Sequence, residues 1–248
     1  MRLLETGNEI LGIKEYNLLG CRFLYREGMG KTTVVTFSAF PPKDVAQKYN
    51  YIKDFLQSDY SFLSFLDTAL PSDDPRGTYY LSDNLGTEYL NTIHCVISLL
   101  HKYDMSNIWL LGSSKGGVGA LLLGLKYGYS NIIINAPQAL LADYIKIRSL
   151  PILSYMIGDN SALKELNYYD LNQYLLNSIR AANTNLQWNI HITCGNEDAY
   201  HLKQLEILRK AFDKTKIPVT IKIVRGGHDN LSIADYRKYF LTVISNVG

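Results

Sequence analysis

Apolar runs of strand length alternate with segments of helical period along most of this chain, and that alternation restricts its fold more than any other feature. Residues 32–37, 61–66, 108–111, 132–134, 188–193 and 219–224 read as buried strands. A hairpin precedes them, with arms at 9–16 and 21–26 and a turn at 17–20. The clearest helix follows Thr87, a candidate N-cap, and sets Leu90, Ile93, Ile97 and Leu100 on one stripe that should lie against the sheet. The expected fold class is α/β, a mainly parallel sheet with helices on both faces.

Residues 138–184 break the alternation with several short helical segments around Pro151 and Tyr168-Tyr169, and read as a cap-like insertion over one sheet edge. Asp73, Asp74, Pro75, Arg76 and Gly77 mark a long surface loop. Hydrophobic residues make up 47% of the 248, enough for one domain over 1–248 that buries about three quarters of its unfolded surface. The formal net charge of +2, without a basic arm, argues against nucleic-acid binding. No stretch reaches the roughly 18 apolar residues of a membrane span, and the first ten residues lack the apolar core of a secretion signal. Cys21, Cys95 and Cys194 are too scattered for a disulfide framework or a zinc site, so a cytoplasmic protein without a metal is expected.

The strongest local signal is a strand at 108–111 running into Gly112-Ser113-Ser114-Lys115-Gly116-Gly117 and then a helix. This is a G-x-S-x-G pattern in the strand–turn–helix context that exposes a serine oxygen, here that of Ser114. A Cβ at Gly112 or Gly116 would crowd neighbouring backbone, and the helix start favours an oxyanion. Of five histidines, His94 and His101 fall on the helix after Thr87 and His191 within a strand, whereas His201 follows a strand end. His228 lies directly after the last strand, on a loop with Gly226 and Gly227, and is the preferred general base. Asp198, in the turn after the strand at 188–193, is the preferred partner for that base, with Glu197 and Asp229 as rivals. The order Ser114, Asp198, His228, each after its own strand, is that of the α/β-hydrolase superfamily. Its oxyanion hole would use the backbone N–H of Lys115 and that of Phe40, or alternatively Ala39.

The GSSKGG elbow, the upstream YYLSDN and the downstream NAPQ resemble a branch of α/β-hydrolase-fold proteins from bacterial surface-glycan pathways, over most of the chain. Within that branch the length and the positions of Ser114, Asp198 and His228 resemble the capsule O-acetyltransferases that modify polymers of N-acetylmannosamine 1-phosphate. The resemblance implies acetyl-CoA as co-substrate, sugar hydroxyls of an anionic capsular polysaccharide as acceptors, and no cofactor or metal. It also implies a place among other capsule-synthesis enzymes, peripheral to the inner membrane. An anionic acceptor calls for local cations, for which Lys115, Arg76, Lys146 and Arg148 are the candidates. The triad itself licenses acyl transfer without choosing between water and a sugar hydroxyl. A cytoplasmic esterase or thioesterase, or a non-catalytic module of a glycan or secretion complex, therefore stands beside the transferase reading.

Overall fold

In the structure, a computed structural model that describes residues 4–43, 45–68, 76–158 and 164–246, the N-terminal third begins with an antiparallel meander. Its strands are β1 (Leu4–Ile10), β2 (Ile13–Leu18) and β3 (Cys21–Arg26). The expected arm at 9–16 is thus two strands. The chain reverses at Leu11-Gly12, with φ of 53° and 81°, and again at Leu19-Gly20, with φ of 50° and 83°. Two consecutive left-handed residues make the turn whose twist suits a tight hairpin, and glycine carries the second position without a Cβ penalty.

Next come β4 (Thr33–Phe37), the short α1 (Ile52–Phe55), β5 (Ser61–Phe65), α2 (Glu88–Leu100), β6 (Ile108–Ser113), α3 (Lys115–Tyr127) and β7 (Asn131–Asn135). The remaining elements are α4 (Leu141–Arg148), α5 (Leu150–Ile157), α6 (Lys164–Ala181), β8 (Asn189–Gly195), α7 (Ala199–Thr215), β9 (Val219–Val224) and α8 (Asn230–Ser245). The sheet order is β1-β2-β3-β5-β4-β6-β7-β8-β9. From β5 to β9 every pairing is parallel.

Side chains alternate across a strand, so each central strand feeds two cores. Val34, Trp109, Leu111 and Ile133 meet Tyr236, Phe240 and Ile244 of α8 with Ile52 and Phe55 of α1. Val35, Phe37, Leu110, Ile132, Ile134 and Ile192 face the larger cluster built with α2, α3, α6 and α7. The expected stripe on α2 is buried at Leu90, Ile93 and Ile97, although the Thr87 side chain makes no capping bond. The strand expected to be buried at 219–224 is instead the sheet edge, where only Val224 is fully covered. Helices α4 to α6 form the excursion between β7 and β8. Asp73, Asp74 and Pro75 of the expected surface loop lie outside the described residues, while Arg76 and Gly77 are inside them.

Candidate active site at the carboxyl ends of the strands

Ser114 sits where β6 gives way to α3, with φ 53° and ψ −122°, a conformation that residues with a Cβ rarely adopt. Neighbours hold it there. The Ser114 amide donates to the Asn135 carbonyl at 2.8 Å, which ties the turn to the end of β7. The turn closes only because its flanks are bare. A Cβ on Gly112 would strike the Gly116 carbonyl, and one on Gly116 would come within 2.5 Å of the Phe37 oxygen. The first N–H groups of a helix have no partner in its own ladder. At the start of α3 these include the Lys115 amide next to the serine.

The carboxylate belongs to the turn after β8. Asp198 is the N-cap of α7, its Oδ1 accepting the His201 backbone N–H at 3.1 Å. The same oxygen lies 2.9 Å from His201 Nδ1, and Oδ2 lies 3.1 Å from His228 Nδ1. Burial works to raise the Asp198 pKa, but the hydrogen bonds from His201 and His228 outweigh it and hold the carboxyl well below its usual range. The two imidazoles stack on each other, centroids 4.2 Å apart and planes at 7°. Burial lowers the pKa of His201, against the opposing pull of Asp198. His201 Nε2 then meets Gln138 Nε2 at 2.8 Å, and Gln138 Nε2 lies 2.9 Å from Ser114 Oγ.

The rivals of Asp198 are occupied elsewhere. Asp229 caps α8, accepting from Leu231 N, Ser232 N and Gly227 N, and Glu197 is exposed. The other histidines have structural partners: His94 with Tyr129, His101 with Thr33 and the Asp104 carbonyl, His191 with Tyr239 and Asn189. Sequence reasoning passed over His201 and Gln138. The D-x-x-H spacing at a helix start was a usable signal for His201, because a capping carboxylate at the first position faces the residue three further on. Gln138 stood in the NAPQ motif without an assigned contact.

Ser114 and His228 line one cleft of about 670 Å³, together with Ala39, Phe40, Lys53 and Arg237. The loop expected to supply the second oxyanion donor therefore forms part of that cleft's wall. Lys115 requires a correction. Its side chain is fully buried, with Nζ 3.1 Å from Asp67 Oδ2, 3.2 Å from Gln47 Oε1 and 2.8 Å from the Arg76 carbonyl. The first turn of α3 points this side chain inward onto a buried acid, so its charge serves an internal pair rather than a surface ligand. Arg76 is 9% exposed, lying 4.8 Å from the Phe40 ring centroid and donating to the Arg148 carbonyl at 3.1 Å. It braces the cleft wall. Lys146 and Arg148 are exposed on α4, resting on Tyr168 and Tyr144. Among the described residues the cations lining the cleft are Lys53 and Arg237, and Arg237 is paired with Asp54. The α4 excursion backs the site, with Tyr144 5.8 Å from the His201 ring, and adds no described residue to the cleft lining.

Asp198, His201 and His228 bring three possible metal donors within 4.8 Å of one another. The two rings lie in nearly parallel, separated planes with both Nδ1 atoms on Asp198, so their in-plane lone pairs meet on one ion only if a ring turns.

Sheet order, nucleophile-type elbow and the acid and histidine after β8 and β9 define an α/β-hydrolase-fold protein. An S-formylglutathione hydrolase from Agrobacterium tumefaciens shares this fold at a TM-score of 0.63 and 17% identity, over 98% of this chain and 94% of that one. Far greater similarity is found to the capsule O-acetyltransferase of Neisseria meningitidis serogroup A. Its structure superposes at a TM-score of 0.95 with 59% identity, over 98% of both chains. A histidine-to-alanine mutant of that enzyme, solved in complex with CoA, also gives 0.95 and 59%. The chain belongs to this capsule O-acetyltransferase family. No family model matches the chain, and no curated protein sequence matches it.

Proposed function

We propose that the protein transfers acetyl from acetyl-CoA to hydroxyls of an anionic capsular polysaccharide through an acetyl-Ser114 intermediate. The observation that carries the reading is the shared cleft: Ser114 in its strained elbow and His228 line it together, with Asp198 bonded behind the histidine. The CoA complex of the Neisseria relative supports the choice of donor.

In the first half-reaction His228 Nε2 takes the Ser114 proton as Oγ bonds to the thioester carbon, and the carbonyl electrons move onto oxygen. The Lys115 backbone N–H, with that of Phe40 or Ala39, would stabilise this oxyanion. The carbon–sulfur bond then breaks, and the CoA sulfur takes the proton from His228. In the second half a sugar hydroxyl gives its proton to His228 and attacks the acetyl-serine; the collapsing intermediate expels Oγ, which recovers the proton. Asp198 holds the imidazole with its proton on Nδ1 and stabilises its cation. One unit over 1–248, working in the cytoplasm beside other capsule-synthesis enzymes at the inner membrane, belongs to the same proposal.

The test uses acetyl-CoA with capsule polymer. Intact-mass measurement should show one added acetyl in the absence of acceptor and its loss when polymer is added, with new O-acetyl groups on the polymer by NMR. Ser114→Ala should lose on the order of 10⁶ in rate while staying folded. Activity at a tenth of wild type in that variant would remove Ser114 from the reaction. Acetate release that polymer leaves unchanged would point to hydrolysis instead.

A further inference from the structure

Gln138 follows β7 and is completely buried. Its Nε2 faces three atoms: Ser114 Oγ at 2.9 Å, His201 Nε2 at 2.8 Å and the Ala136 carbonyl at 3.4 Å. The Ala136 carbonyl only accepts and would repel the amide oxygen, which sets the nitrogen on this side, and its two N–H groups serve the two nearer atoms, Ser114 Oγ and His201 Nε2. Among the described residues Gln138 Oε1 has no hydrogen-bond partner. A buried acceptor left without a partner calls for a reason, and the reason here lies at the other end of the amide.

Since Gln138 donates, His201 Nε2 accepts, and the ring proton of His201 sits on Nδ1, 2.9 Å from Asp198 Oδ1. The ring is held by Tyr200 and Tyr144, centroids at 5.2 and 5.8 Å, and by the stacked His228. A second hydrogen-bonded path therefore runs from Asp198 through His201 and Gln138 to Ser114, parallel to the direct bond between Asp198 and His228.

A serine hydroxyl has one proton and two acceptor sites. We propose that Gln138, locked by His201, is a positioning residue for Ser114: it fills one acceptor site of Oγ and so turns the hydroxyl proton toward His228. The inference rests on the reading of Ser114 as nucleophile. The same N–H donates to Oγ when the acetyl leaves for the acceptor and negative charge gathers on that oxygen, before the proton returns from His228. His201 acts only through the amide it orients, and it must be neutral to do so.

Gln138→Met keeps the volume and removes the donor. Its kcat should fall about 10- to 100-fold, its KM for acetyl-CoA should change less than twofold, and labelling of Ser114 by a fluorophosphonate should slow in parallel. An unchanged kcat and labelling rate overturns the proposal. A measurement on the intact wild-type protein stands even if that variant folds badly: ¹⁵N-histidine NMR at neutral pH should show His201 as a neutral ring protonated at Nδ1. A proton on Nε2 would require Gln138 to present its oxygen to the ring, and overturns the proposal as well. An inactive Ser114→Ala beside a fully active Gln138→Met rejects this inference alone, whereas an active Ser114→Ala rejects the nucleophile and takes this inference with it.

Discussion

Asp198 accepts hydrogen bonds from two imidazoles and one backbone amide, so removing its charge and removing its oxygens should do different damage. Asp198→Asn keeps an oxygen for the cap of α7, and should stay folded while kcat drops about 10⁴-fold. Asp198→Ala should also lose about 1 kcal/mol of stability with the cap. Activity assays and urea midpoints on the pair separate the two effects, and equal midpoints would deny the capping role. The buried His201 and the half-buried His191 and His94 contribute to acid sensitivity. Burial lowers the pKa of His201, His191 and His94 in the fold. Each contributes stability that is complete above the unfolded value near 6.5 and is lost as pH falls below it. The thermal midpoint should hold between pH 7 and 8 and decline from about pH 6.5 to 5, less steeply in His201→Gln; a midpoint that rises on acidification would contradict this. The placement of Ser114, Asp198 and His228 just past the ends of β6, β8 and β9 was legible in the sequence because each follows a strand of its own. His201 was not, because a residue one helical turn past a strand end reads first as a helix residue, and only the folded cap brings its ring onto the same carboxylate.

At the scale of elements, the central strands were legible to within two residues at each end, since continuous apolar runs in a sheet covered on both faces leave little choice of position. Two errors have local causes. Leucine is an unusual first residue for a left-handed turn, so the reversal at Leu11-Gly12 went unseen, and apolarity alone does not distinguish an edge strand such as β9 from a central one. The inward turn of Lys115 was hidden for another reason: its partner Asp67 is 48 residues away in sequence. That pair links the start of α3 to the end of β5, and Gln47 joins it to the loop that forms the cleft wall. Lys115→Met leaves Asp67 buried without its cation and should cost about 3–5 kcal/mol. Adding Asp67→Leu should restore part of the loss and not all, because Asp67 also accepts from the Tyr80 amide and Lys115 also donates to the Arg76 carbonyl, as read from denaturation midpoints of the single and double variants. Additive losses would mean that the two side chains do not depend on each other.

For the whole molecule, a net charge of +2 gives little long-range attraction for a polyanion. The proposed anionic acceptor would have to be met by local cations, for which Lys53 and Arg237 in the cleft, and Lys146 and Arg148 exposed on α4 outside its lining, are the candidates. Such contacts are screened over a Debye length of about 8 Å at physiological salt. The KM for capsule polymer should therefore rise along a salt series while that for a neutral sugar acceptor stays level; equal salt dependence would reject the anionic acceptor. The backbone at Ser114 bears on the molecule in another way. At φ 53° and ψ −122°, glycine is the residue that fits without strain. Under the proposed mechanism shape and chemistry disagree at one residue, and evolution toward heat resistance alone would drift toward replacing Ser114 by glycine, giving descendants that are sturdier and, on that mechanism, inert. Any hardened version of this enzyme has to be chosen by its turnover as well as by its melting curve.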